Sequence, residues 1–219
     1  MNIAIGLSGF FFLFIIATNL LSGAFGYQTF SKLDSRTQFK KINVNLKKFK
    51  ISFIFIIVEH IYIICLAISL FIAFSSYNVI LGIIWLSFRS GEALIQIYDK
   101  KNYLHLFHLA EKYLNAKEFK KDELVESGDA ILKRKNQIFT FSQILFSIGT
   151  FSYSLLFALY EVVSIFIGWF GVISSIIYGC GNIIYLIKSG NKSVWNIGGI
   201  LILIFESILG IWLLISSFL

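Results

Sequence analysis

Six runs of roughly 20 to 26 residues, each long enough to cross about 30 Å of hydrocarbon, recur along the chain, and nothing else in it constrains the fold as strongly. They are Ile3–Phe25, Ile51–Phe74, Val79–Tyr98, Gln137–Glu161, Ser164–Ile187 and Trp195–Phe218. A water-soluble domain has no interior large enough to hide them, and only 14% of the 219 residues are charged, against about 25% in soluble domains. The expected fold is therefore all-α: one polytopic membrane domain over residues 1–219, a bundle of six transmembrane helices. The first run has no basic residue before it and seven after it, the reverse of the order in a signal peptide, so it reads as a retained helix.

The net charge of +7 falls between the spans and not on a polar groove, which argues for membrane topology over nucleic acid as its explanation. Of nineteen Lys and Arg, seven lie in the first connection (Lys32, Arg36, Lys40, Lys41, Lys47, Lys48 and Lys50), nine in the third, and two, Lys188 and Lys192, in the fifth. The second and fourth connections carry none. Because cytoplasmic loops retain positive charge during insertion, this one-sidedness predicts a multi-pass protein of the cell membrane with both termini outside. The bilayer is the expected partner.

The third connection, residues 99–136, carries an amphipathic pattern: Tyr103, Leu106, Phe107, Ala110, Tyr113 and Leu114 recur at spacings of three and four. It predicts a cytoplasmic helix between the third and fourth spans. A solvated connecting helix is the leading reading, with docking on the inner membrane surface or packing beneath the bundle as alternatives. His105 and His108 share a face with Glu111, but no further ligand stands at metal-site spacing, so no metal is expected. Cys65 and Cys180 lie at different depths and do not predict a disulfide.

Ionisable side chains at membrane depth face the bundle interior and find partners. At about 1.5 Å per residue from the cytoplasmic end, Glu59 lies about 13 Å deep, Arg89 about 15 Å, Glu92 about 10 Å and Glu206 about 16 Å. His60 follows Glu59. Arg89 and Glu92 share one helix face, which Gln96 extends, and an arginine fork suits Glu92 together with either Glu59 or Glu206. Three glutamates against one arginine leave a carboxylate over, which is where proton-linked chemistry would reside. In the fifth span Gly171, Ser175, Tyr178, Gly179 and Asn182 form a small, polar stripe suited to close helix packing, with Asn182 a further candidate for the cluster. The candidate site is thus Glu59, His60, Arg89, Glu92, Gln96, Asn182 and Glu206.

The chain has no G-x-S-x-G, no H-E-x-x-H and no phosphate-binding glycine loop, so no catalytic residue, cofactor or enzymatic activity is predicted. It also has no proline, and with it lacks the usual cause of sharp helix kinks. The cluster suits transport or sensing of a small solute or proton. A structural or partner-binding role, with the cluster only fixing helix packing, is the alternative, and a lipid-active enzyme is disfavoured by the cluster's near-central depth.

Three segments resemble a six-helix bacterial and archaeal membrane family known as domain of unknown function 4386. They are FRSGEA (Phe88–Ala93), which resembles the family's arginine-x-x-glutamate signature, FESILGIWLLISSF (Phe205–Phe218), which resembles its closing helix, and the stretch from Phe139 through Gly171 that includes LYEVVSIFIGWFG. The resemblance implies that Arg89, Glu92 and Glu206 are family-typical positions, and it implies no activity. The chain departs from the family pattern at Ile167 and Gly168, where relatives have a proline–arginine pair, and in carrying its basic residues in odd-numbered connections.

Overall fold

A computed structural model describes residues 2–28, 30, 34–188 and 193–219. Lys32 and Lys192, two of the basic residues used to infer orientation, lie outside them. Among the described residues there are seven helices and no strand: α1 (Asn2–Ala24), α2 (Ser35–Val44), α3 (Leu46–Phe74), α4 (Val79–Asn115), α5 (Glu118–Leu159), α6 (Ile165–Ile187) and α7 (Ser193–Ser216). All but α2 are long and apolar enough to cross a membrane, which makes the chain a multi-pass membrane protein with six spans.

The six long helices close into a ring. Each packs on two neighbours, in the order α1, α3, α4, α5, α6, α7 and back to α1. The half of the ring remote from the basic segments is filled by Phe12, Leu66, Leu70, Trp85, Tyr153, Phe157, Phe205 and Leu209, all buried. Small residues let the backbones close there. A Cβ built on Gly9 of α1 would stand 2.5 Å from Leu214 N and 2.7 Å from Gly210 O of α7, so only glycine permits this crossing. Outward-facing Ile72, Ile80, Phe166 and Ile215 are exposed, as suits side chains that face lipid. Cys65 and Cys180 are both free thiols.

The amphipathic stretch is present, but as part of α4 and not as a separate helix. Hydropathy marks where a bilayer ends, whereas a helix ends where its hydrogen-bond ladder is broken, and no glycine or proline stands between Gly91 and Gly128. The 37 residues of α4 and 42 of α5 therefore run about 56 and 63 Å, well past the hydrocarbon, and turn at Ala116 and Lys117. Tyr103, Leu106, Phe107 and Ala110 are buried in a second core with Phe39, Ile42, Phe49 and Leu132, so the stretch packs beneath the bundle. Leu114 remains exposed, and so does the face bearing His105, His108 and Glu111.

Helix α2 lies in what the sequence presents as a basic loop. Its ten residues bury only Ser35, Phe39 and Ile42, too short a period to stand out among lysines. Asp34 caps it by accepting a hydrogen bond from Thr37 N, and hydrogen bonding from the Thr37 side chain, then from its backbone, holds the Asp34 carboxyl below its ordinary range. Ser35 N donates to Asp129 Oδ1 at 2.9 Å and Ser35 Oγ to the Val125 carbonyl at 2.7 Å, which pins α2 to α5.

Candidate functional site

Glu59, Arg89, Glu92 and Glu206 project from α3, α4 and α7 into one level of the ring, as their depths predict, and all are buried. Arg89 Nη1 donates to Glu92 Oε2 at 2.7 Å. The second bridge goes to Glu206, whose Oε1 stands 3.8 Å from Arg89 Nη2. That separation is an ion-pair contact but too long for a hydrogen bond, and Glu206 Oε1 accepts none from the protein. Two packing contacts fix the arginine. Its guanidinium lies 4.3 Å from the Phe146 ring centroid, and its aliphatic stem crosses Gly149, where an added Cβ would meet Arg89 Cγ at 2.7 Å.

Glu59 is held separately. Asn19 Nδ2 of α1 donates to both of its carboxylate oxygens, at 3.0 and 3.2 Å. His60 Nδ1 stands 2.6 Å from the Ile56 carbonyl, and because a carbonyl only accepts, Nδ1 carries the proton and Nε2 is the nitrogen left for other partners. Gln96 continues the polar face of α4 toward the basic end: its amide donates to Ser142 Oγ, and its carbonyl accepts from Lys100 Nζ at 3.2 Å.

A cavity of about 450 Å³ unites these groups, with Glu59, His60, Arg89, Glu92, Gln96 and Glu206 all on its wall. It occupies the half of the ring nearer the basic segments, beneath the aromatic plug. Facing it from α5, α6 and α7 are Gln143, Tyr178 and Trp195. The wall therefore combines three carboxylates, one guanidinium, an imidazole and aromatic faces.

Asn182 does not join the cluster. Its Nδ2 donates to the Tyr178 carbonyl at 2.8 Å and its Oδ1 accepts from Trp195 Nε1 at 3.0 Å, so it ties α6 to α7 behind the cavity wall. The rest of the stripe serves close packing: Gly171 is covered by Phe205 and Ser154, and Gly179 by Ser147. His108 Nδ1 and Glu111 Oε2 are 3.6 Å apart on the exposed face of α4.

Asn19, which hydrogen-bonds Glu59, is the neighbour of the cluster that charge reading misses, although it is the one amide in the first apolar run. Lys100 and Lys135 are missed too, because lysines between spans read as solvated. Both are buried: Lys100 Nζ donates to Tyr27 Oη at 2.9 Å, Lys135 Nζ donates to the Gln28 carbonyl at 2.5 Å, and each lies 5.2 Å from the Tyr27 ring centroid.

The family model described as domain of unknown function (DUF4386) matches residues 7–216, nearly the whole chain, and the protein belongs to that family. No curated protein and no solved structure matches the chain.

Proposed function

We propose that this DUF4386 member is a non-enzymatic protein of the cell membrane that takes a small solute or a proton into its intramembrane cavity, for transport or sensing. The observation that carries this reading is the cavity of about 450 Å³ that Arg89, Glu92, Glu206 and Glu59 line together from three helices. A cluster that served only as packing glue has no use for such a space, since protein interiors close voids of that size. Ion pairs between helices also cost desolvation that a purely structural bundle avoids with apolar contacts.

The Lys and Arg distribution supports an orientation with both termini outside. The long extension of α4 and α5, with α2 packed on it, then lies in the cytoplasm beneath the cavity.

The test is proton movement in proteoliposomes that contain a trapped pH-sensitive dye and carry an imposed pH gradient, compared for the natural protein and Glu206→Gln. Cluster-dependent flux that Glu206→Gln abolishes while the protein stays folded and monodisperse supports the reading. Equal flux in both, or a Glu206→Gln effect confined to melting temperature, assigns the cluster to architecture instead.

A further inference from the structure

The cavity has a doorway, and it faces lipid. Helices α1 and α7 are antiparallel and in close contact at the end remote from the basic segments, where Gly6 meets Ser217, Gly9 meets Leu214 and Gly210 meets Phe12 and Leu13. Toward the basic end the glycines of α7 turn to α6 instead, where Gly198 and Gly199 meet Tyr178. At that level Leu20 of α1 and Ile200 and Leu203 of α7 line the cavity, yet they are 64%, 60% and 46% exposed. A residue that both lines a cavity and faces outward stands at its mouth. This mouth lies between two transmembrane helices and is edged by aliphatic side chains, so its surroundings are acyl chains and not water.

Behind the aliphatic edge the chemistry changes sign and polarity. Glu206, Glu59 and Glu92 put three carboxylates on the cavity wall against the single guanidinium of Arg89, and Tyr178 and Trp195 add aromatic rings. Excess carboxylate beside aromatic rings is the recognition chemistry of an organic ammonium. A space of about 450 Å³ holds such a headgroup and the first part of a chain.

We propose that the substrate class of this cavity is an amphiphile with a cationic amine or quaternary ammonium head, which enters sideways from the membrane between α1 and α7. This rests on the solute-binding reading above and narrows it. The head is held by Glu206 and Glu59 against the aromatic wall, and the tail stays in the mouth between Leu20 and Ile200. Arg89 keeps Glu92 paired, which leaves Glu59 and Glu206 as the two carboxylates available to the head.

The experiment is equilibrium binding of radiolabelled dodecyltrimethylammonium to the full chain in lipid nanodiscs, with empty nanodiscs as the partition control. Tetramethylammonium serves as a competitor without a tail, and dodecyl sulfate as one of opposite charge. The expected result is one saturable site per protein, at least tenfold weaker in Glu59→Gln/Glu206→Gln, indifferent to dodecyl sulfate, and competed by tetramethylammonium only at far higher concentration. Ile200→Trp, which alters the exposed mouth and not the core, should weaken the dodecyl compound and leave tetramethylammonium unaffected. That variant keeps the test decisive should the double glutamate variant fail to fold. No saturable binding above the empty discs, equal competition by dodecyl sulfate, or an Ile200→Trp variant indistinguishable from the natural protein overturns the proposal. Glu206-dependent proton flux that survives any of these outcomes leaves the broader solute or proton reading standing, so the two fail separately.

Discussion

Arg89 of α4 and Glu206 of α7 meet across the inside of the ring, 3.8 Å apart, although the two helices do not pack on one another. The contact spans space where elsewhere helices touch directly. Because both groups are almost wholly buried, neither has bulk water to fall back on when its partner is removed.

Arg89→Met should therefore destabilise the protein by about 3 to 5 kcal/mol, because it strands Glu92 and Glu206 in a low-dielectric interior. Neutralising all three groups together, as Arg89→Met/Glu92→Gln/Glu206→Gln, should recover most of that loss. Melting of the purified protein in one detergent is the measurement. A single variant as stable as the parent would show that the carboxylates do not depend on Arg89.

The same reasoning gives a smaller figure for the second carboxylate. Asn19 and Glu59 are joined by amide hydrogen bonds of 3.0 and 3.2 Å between α1 and α3. A double-mutant cycle with Asn19→Leu and Glu59→Leu should show a coupling of about 1 kcal/mol, as for polar contacts between transmembrane helices. Additive effects would mean that the contact contributes nothing to stability.

One substitution should change sign along a single helix. Gly9→Ala places a methyl group 2.5 Å from the Leu214 backbone and must push α7 away, at a cost of about 1 to 3 kcal/mol. Gly23→Ala in the same helix meets nothing and should stabilise by about 0.5 to 1 kcal/mol through helix propensity alone. Melting temperatures of the two variants check this, and equal destabilisation would contradict the crossing described for α1 and α7.

These cases show what was legible in the sequence. The depth of a charge in an apolar run can be counted, so Glu59, Arg89, Glu92 and Glu206 are legible from the sequence alone. Which pairs form was only partly legible: Arg89 with Glu92 follows from their spacing, but the choice of Glu206 over Glu59 depends on ring order, which no local pattern encodes. Asn19 escaped because a neutral amide in a span costs too little to attract notice. Asn182 misled because its polarity is spent on Trp195. The continuity of α4 and α5 was hidden by a change of composition at Asp99, yet the absence of glycine and proline from 92 to 127 carried it. Lys100 and Lys135 show the limit of counting charges by loop, since a lysine beyond a span can still be buried when the helix that bears it continues.

Orientation can be tested without reference to any ligand. In a background in which the two free thiols are removed by Cys65→Ser and Cys180→Ser, a single cysteine is placed at Leu219→Cys, at the exposed carboxyl end, or at Glu123→Cys, on the exposed face of the α5 extension. An impermeant maleimide added to intact cells should label Leu219→Cys, and Glu123→Cys should react only after the membrane is opened. The expectation follows from eighteen of nineteen basic residues lying in the first, third and fifth connections and the one remaining, Arg89, in a span. The burial of Lys100 and Lys135 removes two of those charges from solvent in the folded state, but the rule acts during insertion, before the helices pack, so the count still holds. Labelling of Glu123→Cys in intact cells would reverse the orientation and place the cavity and its lateral mouth in the outer leaflet. The amphiphile would then be drawn from the other side of the membrane.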